Sequence, residues 1–318
     1  MRIEVIGGGA LGLLFAARAA AGGTATVLYA RTEEQARLVS GSGIEVRNRE
    51  EEAGSRVGPP ELEALPVRRF GLSCGETSER WVVLAVKQKD LDESLVARLR
   101  EGMRPGDRLL CLQNGTGHLE RLGEALPGVL IYAGITTEGA RRLGPDSVLH
   151  AGKGTTLIGI PDTKGERPRG EQEAAEKKLE NAFAAAGLSL SASNEIETVM
   201  YRKLLINAVI NPLTAIWRIE NGALLDSEPR LAVMRALFDE VTAVYSAAGI
   251  GVSDSWWEDL LGVCRATARN RSSMLEDVSR GRETEAKWIS GGIADLARRA
   301  GLEAPMNRTL LGLITGMN

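Results

Sequence analysis

Between Tyr201 and Pro212, the residues Lys203, Asn207 and Asn211 fall at i, i+4 and i+8, which projects all three from nearly one face of a helix. The positions around them are largely apolar, so a polar face stands among surroundings expected to be buried. A solvated stripe would use Glu, Arg and Lys rather than two Asn, which are poor helix formers. One ammonium with two neutral amides instead suits the binding of a small oxygen-rich anion, with the lysine near a carbonyl. Two later segments support the same reading. Asn270 and Ser273 are expected on one helical face, and Glu285 is expected to open a final amphipathic helix over residues 285–300, with Thr284 as a candidate cap. The dipole of that helix is the plain alternative explanation for a carboxylate there. Met274 and Trp288 read as core, and no Ser/His/Asp or Cys/His arrangement rivals the lysine.

A second chemical signal lies at the start of the chain. The apolar run Ile3-Glu4-Val5-Ile6 leads straight into Gly7-Gly8-Gly9-Ala10-Leu11-Gly12 and then into an apolar helix. This is G-x-G-x-x-G between strand and helix, the context in which it holds a pyrophosphate. Gly7 permits the tight turn, Gly9 lets backbone approach the phosphates, and Gly12 lets helix pack on strand. The helix N-terminus supplies N–H groups and a positive dipole end. The second strand ends at Tyr29-Ala30-Arg31-Thr32, where an NAD-binding chain places an acid against the ribose 2′-hydroxyl. Arg31 cannot accept that hydrogen bond but pairs well with a 2′-phosphate, which points to NADP; a solvated surface Arg is the alternative. Lys87 and Asn114 stand at the carboxyl ends of parallel strands, where ligands of open sheets bind, although polar residues there also serve as turn formers.

The elements that must position these residues follow from patterning. Residues 3–6, 25–29, 81–86, 108–112 and 129–133 are short, uniformly apolar runs, as buried parallel strands require. Helical spacing fills 11–21, 33–39, 90–99 and 119–126 between them, so the order is βαβαβ and the expected fold is an α/β Rossmann-type doubly wound sheet. After a turn at Gly144-Pro145, residues 155–160 are expected to add an antiparallel edge. The polar stretch 161–170 reads as an exposed loop and 171–186 as a helix, after which strands are expected to stop. From Glu195 onward the apolar residues recur at threes and fours, so the second domain is expected to be all helical. The expected domains are 1–193 and 194–318, with bends at 113–115 and near 193–194.

Composition narrows the function classes. At 318 residues the chain is long enough for two domains. Lys plus Arg number 39 against 42 Asp plus Glu, a net charge of −3 that offers no broad cationic field for nucleic acid. Cys74, Cys111 and Cys264 lie far apart, without disulfide or zinc spacing. His118 and His150 read as loop or half-buried polar residues rather than catalysts. No export signal or membrane span is read, and a reducing cytoplasm fits.

On these motifs the sequence resembles the ketopantoate reductase (2-dehydropantoate 2-reductase) family, NADPH enzymes of pantothenate biosynthesis. The resemblance is carried by MRIEVIGGGALGLLFAA, Arg31, AVKQ around Lys87, LQNGTGH around Asn114, YRKLLINAVINPLTAIW, NGALL at Asn221, NRSSML, and GRETEA around Glu285. It implies a Rossmann domain for NADP followed by a helical, substrate-binding domain of the 6-phosphogluconate dehydrogenase C-terminal type, with the site in the cleft between. It also implies Lys203 as general acid and Asn207, Asn211, Asn221 and Ser273 as substrate-binding positions. Asn114 would touch both nicotinamide and substrate. Lys87, Ala140 and Glu285 match cofactor-facing positions, and the glycine loop (Gly7, Gly8, Gly9, Ala10, Leu11, Gly12) and Arg31 match the NADPH phosphate contacts. Hydride would reach the ketone carbon while Lys203 gives a proton to the developing alkoxide. The implied protein is a monomer or homodimer acting on ketopantoate, without metal, nucleic acid or membrane. The alternatives are reduction of another small 2-oxo acid, and a non-catalytic NADP(H) redox sensor.

Overall fold

The structure, a computed structural model, describes residues 1–49, 54–72, 79–161 and 170–317. The chain divides into two compact units, residues 1–113 with 118–196, and residues 114–117 with 197–318.

The first unit opens with β1 (Arg2–Ile6), α1 (Ala10–Ala21), β2 (Ala25–Ala30), α2 (Glu33–Ser42), β3 (Ile44–Asn48), β4 (Ser55–Val57) and β5 (Leu62–Pro66). It continues with β6 (Arg80–Leu84), α3 (Glu93–Gly102), β7 (Arg108–Cys111), α4 (His118–Ala125), β8 (Leu130–Thr136) and β9 (Gly139–Arg142). The last elements are β10 (Ser147–Gly152), β11 (Thr155–Gly159), α5 (Glu171–Ala185) and β12 (Ser189–Ala192). One sheet has the order β12-β11-β8-β7-β6-β1-β2-β5. Its central strands β2, β1, β6, β7 and β8 are parallel, as their uniform apolarity requires. A second sheet, β4-β3-β10-β9, covers the outer side of α1, so that Leu13, Leu14 and Phe15 pack in one core with Ile3, Val5, Ile44 and Val148.

Several expectations need correction. Residues 155–159 are not an edge: β11 pairs antiparallel with β8 on one side and parallel with β12 on the other. The strands therefore do not stop after α5. β12 reads Ser-Leu-Ser-Ala and buries only Leu190 deeply, so it lacks the all-apolar signature of the central strands. The same holds for β3, whose Ile44 and Val46 are buried while the residues between and after them are not. The turn at Gly144-Pro145 joins β9 to β10 in the second sheet, closed by Leu143 N–H on Ser147 O at 2.9 Å. The helix expected over 90–99 begins at Glu93, where the Asp92 carboxylate caps it by accepting from Leu95 N at 2.8 Å. The expected loop 161–170 lies largely, and Cys74 entirely, outside the described residues. His118 and His150 are buried, not loop or half-buried: His118 opens α4 with Nδ1 3.1 Å from Gln88 Nε2, and burial pushes its imidazole down to about 4. His150 lies on β10, 2.6 Å from Glu138.

The helical unit contains α6 (Ile196–Trp217), a 3-10 turn at Asn221–Leu225, α7 (Glu228–Ala247), α8 (Trp256–Ala266), α9 (Ser273–Ser279), α10 (Ser290–Arg299) and α11 (Pro305–Thr315). Its core is formed by Leu205, Val209, Met234, Leu237, Val241, Tyr245, Leu260 and Ile293. Asn270 is not helical and shares no helix face with Ser273, because α9 starts at Ser273 and is capped by Ser272, whose Oγ accepts from Leu275 N at 3.1 Å. Nor does Glu285 open a helix. Residues 285–289 form turns in which Trp288 N and Ile289 N both donate to Glu285 O, and regular helix begins at Ser290. Among the described residues, no helix is long and apolar enough to cross a membrane.

At the amino ends of the central strands, Arg80 is buried between two carboxylates. Nη2 lies 2.7 Å from Glu4 Oε2, and Nη1 lies 2.8 Å from Asp107 Oδ2 and 2.7 Å from Gly102 O. The pairing ties β1 and β6 to the entry of β7, and fixes their ends. Arg80→Ala takes the buried guanidinium from both acids, leaving Glu4 with Arg2 and Asp107 with the Arg104 N–H, so we expect a loss of up to about 3 kcal/mol of stability, measured by urea unfolding followed by circular dichroism.

Candidate active site

In the first unit, β1 runs into a loop that only glycine can make. Gly7 has φ +118° and its N–H donates to Tyr29 O at 2.9 Å. A Cβ on Gly12 would stand 1.8 Å from Gly7 O, so α1 approaches the strand as closely as two backbones can. A Cβ on Gly9 would meet nothing within 4 Å: that face of the loop is open. α1 then begins at Ala10 without a side-chain cap. Its first-turn N–H groups, from Ala10, Leu11 and Gly12, have no partner within a helix and suit a bound phosphate. Gln35, a residue missed in the sequence, braces the loop from behind. Its Nε2 donates to Gly8 O at 2.9 Å and to Pro145 O at 2.7 Å.

A groove of about 740 Å³ is lined by Gly7, Gly8, Gly9, Tyr29, Arg31 and Lys87, among others. The structure thus brings the glycine loop, Arg31 and Lys87 together. The open face at Gly9, the uncapped helix start and the guanidinium at the end of β2 fit a dinucleotide bearing a 2′-phosphate. Ala140 does not line this groove; it lies on β9, partly buried against the core around α1. Asp90, another residue the sequence reading passed over, does line it, and its carboxylate pairs with Arg31 at 2.5 Å. An acid three positions after a strand-end lysine was the available signal.

In the helical unit, Lys203, Asn207 and Asn211 all lie on α6, with Asn211 buried and the other two partly so. Burial pushes the Lys203 ammonium down from its ordinary 10.5 to about 8, and the negative charge of Glu285 resists the shift. A value of about 8 leaves roughly nine-tenths of the lysine protonated at pH 7, poised to release a proton. Glu285 is buried, and one of its oxygens accepts from Asn114 Nδ2 at 3.1 Å. Nearby, Thr116 N donates to Trp288 O. Lys203, Glu285 and Asn114 therefore form one electrostatic group, assembled from α6, the 285–289 turns and the 114–117 segment.

Asn221 is buried at the start of its 3-10 turn, with Nδ2 2.9 Å from Thr267 Oγ1. Thr267 uses its single proton on Val263 O at 2.7 Å, so toward Asn221 it can only accept, and the Asn221 oxygen is turned away without a hydrogen-bond partner. Such an atom waits for a donor. Ser273 is exposed in the first turn of α9, while its neighbour Ser272 is buried beside Thr214 Oγ1 at 2.8 Å. Among the described residues no cluster of three His, Cys, Asp or Glu could hold a metal ion.

The chain is similar to known proteins along its whole length. Residues 3–163 match the family model described as ketopantoate reductase PanE/ApbA, and residues 195–318 match its C-terminal model. The chain is 32% identical to a 2-dehydropantoate 2-reductase of Halobacterium salinarum over 99% of this chain and 98% of the other. It is 32% identical to that of Bacillus subtilis over 100% and 97%. A crystal structure described as a probable 2-dehydropantoate 2-reductase from Bacillus subtilis superposes with a TM-score of 0.84 at 30% identity, covering all of both chains.

Because Glu285 holds the lysine up, Glu285→Gln is expected to move the loss of the Lys203 proton below pH 8. A titration of lysine labelled at Cε with carbon-13, followed by NMR, checks this; an unchanged midpoint would show that the Glu285 charge does not reach the ammonium.

Proposed function

The chain belongs to the ketopantoate reductase PanE/ApbA family, and from that premise we propose that it reduces 2-dehydropantoate to pantoate with NADPH, a step of pantothenate and coenzyme A biosynthesis. The observation that carries the reading is the buried Lys203 ammonium, poised at about 8 beside Glu285, with Asn114 on the same carboxylate. A merely sensory NADP(H) protein has no use for such a group.

Bound NADPH supplies a hydride to the ketone carbon. The glycine loop and the first turn of α1 hold its pyrophosphate, Arg31 its 2′-phosphate, and Lys87 belongs to its surroundings. Lys203 delivers a proton to the substrate oxygen as negative charge gathers there, which completes the alcohol; the neutral amine then regains a proton from water. Glu285 keeps the lysine charged before the step, and Asn114 orients that carboxylate and meets nicotinamide and substrate. Asn207, Asn211, Asn221 and Ser273 hold the substrate, whose carboxylate lies against the Ser273 hydroxyl and the side-chain amides. On this reading residues 1–193 bind NADP and 194–318 bind substrate, in a cytoplasmic enzyme that works as a monomer or homodimer.

Two variants test the assignment. Lys203→Ala should lower kcat by roughly 10²–10⁴-fold and leave NADPH binding nearly intact; a raised KM with a normal saturated rate would instead make the lysine a carboxylate anchor. Arg31→Ala should weaken NADPH by roughly ten- to a hundredfold and spare NADH, as read by cofactor fluorescence. Consumption of NADPH across a panel of 2-oxo acids identifies the substrate.

A further inference from the structure

The dinucleotide groove contains a feature that an NADP site does not call for. At the end of β2, where the ribose 2′ position falls in folds of this type, Arg31 is already engaged. Its Nη2 lies 2.5 Å from Asp90 Oδ1, and both side chains line the groove with the glycine loop. Asp90 ends the 3-10 turn Gln88–Asp90 that follows β6, and its N–H donates to Lys87 O at 2.9 Å. It thus reaches Arg31 from the segment after β6, on the far side of β1, rather than from β2 itself. The next acid along, Asp92, is committed to capping α3 through Leu95 N.

We propose that Asp90 is a cofactor-selecting residue, a carboxylate that competes with the 2′-phosphate for Arg31 and offers an acceptor to the 2′-hydroxyl of NADH. The proposal rests on reading the groove as the NADP(H) site. A 2′-phosphate must either displace Asp90 from the guanidinium or share it, and two anions on one cation repel each other. The ribose of NADH has no such conflict. Its 2′-hydroxyl donates to the carboxylate, as it does to the acid at the end of β2 in NAD-binding folds, and the ion pair stays intact. Arg31 and Asp90 therefore pull in opposite directions. The preference for NADPH is narrower than Arg31 alone would set.

The test is a direct titration of the full-length protein and of Asp90→Asn with NADPH and with NADH, read by nicotinamide fluorescence at fixed ionic strength. Asp90→Asn should tighten NADPH and weaken NADH, each by roughly three- to tenfold, as expected for one charged interaction at a partly exposed site. The ratio of the two dissociation constants then shifts by an order of magnitude or more. Equal changes for both cofactors, or no change, would overturn the inference while leaving the NADP(H) reading intact. Failure of the parent protein to bind either cofactor would overturn both.

Discussion

A lysine withdrawn from water keeps its charge only if something opposes the cost of burial, and in the helical unit that something is Glu285. Burial alone favours the neutral amine; the nearby carboxylate favours the ammonium; the balance lies at about 8. Much of the local architecture serves that balance. Glu285 is kept out of regular helix by the 285–289 turns, and Asn114 holds its carboxylate. Asn114 follows β7 closely in the chain, yet its segment belongs to the helical unit through this contact and the Thr116 to Trp288 bond. In the proposed mechanism the lysine is the general acid, which needs a proton to give and a reason to give it, and a value near 8 supplies both at neutral pH.

The first unit meets a different demand, that of bringing backbone N–H groups to a phosphate. The contact of Gly12 with Gly7 O sets how closely α1 sits on β1, and the open face at Gly9 leaves room for the ligand. Gln35 secures the loop by donating to Gly8 O, and α1 is covered on its other side by the four-stranded sheet. Around this rigid element the groove carries both signs of charge. The Arg31–Asp90 pair, on the inference drawn above, makes cofactor choice a contest between two side chains as well as a matter of one cation.

What was legible in the sequence shares a single physical property: it is local. The central strands are buried on both faces, so their apolar runs stand out; the glycine loop lies within six consecutive positions; and Lys203, Asn207 and Asn211 are related by helical spacing alone. Strands buried on one face, such as β3 and β12, were not legible, because two alternating apolar residues are too weak a signal. Helix starts were misplaced where a side chain or a turn intervened, as Asp92 does before α3 and Glu285 before α10.

By itself, then, the sequence determined the doubly wound sheet, the helical second half, the phosphate loop, the arginine at the end of β2 and the polar face of α6. Tertiary structure alone decided that Glu285 would face Lys203 across about eighty residues of chain, that Asn114 would hold that carboxylate, that Asp90 would reach Arg31 from another strand, and that Thr267 would turn the Asn221 oxygen away from its own hydroxyl. The reason is physical: spacing dictates which side chains share a face, whereas charge balance and hydrogen-bond direction depend on atoms that meet only when distant segments pack together.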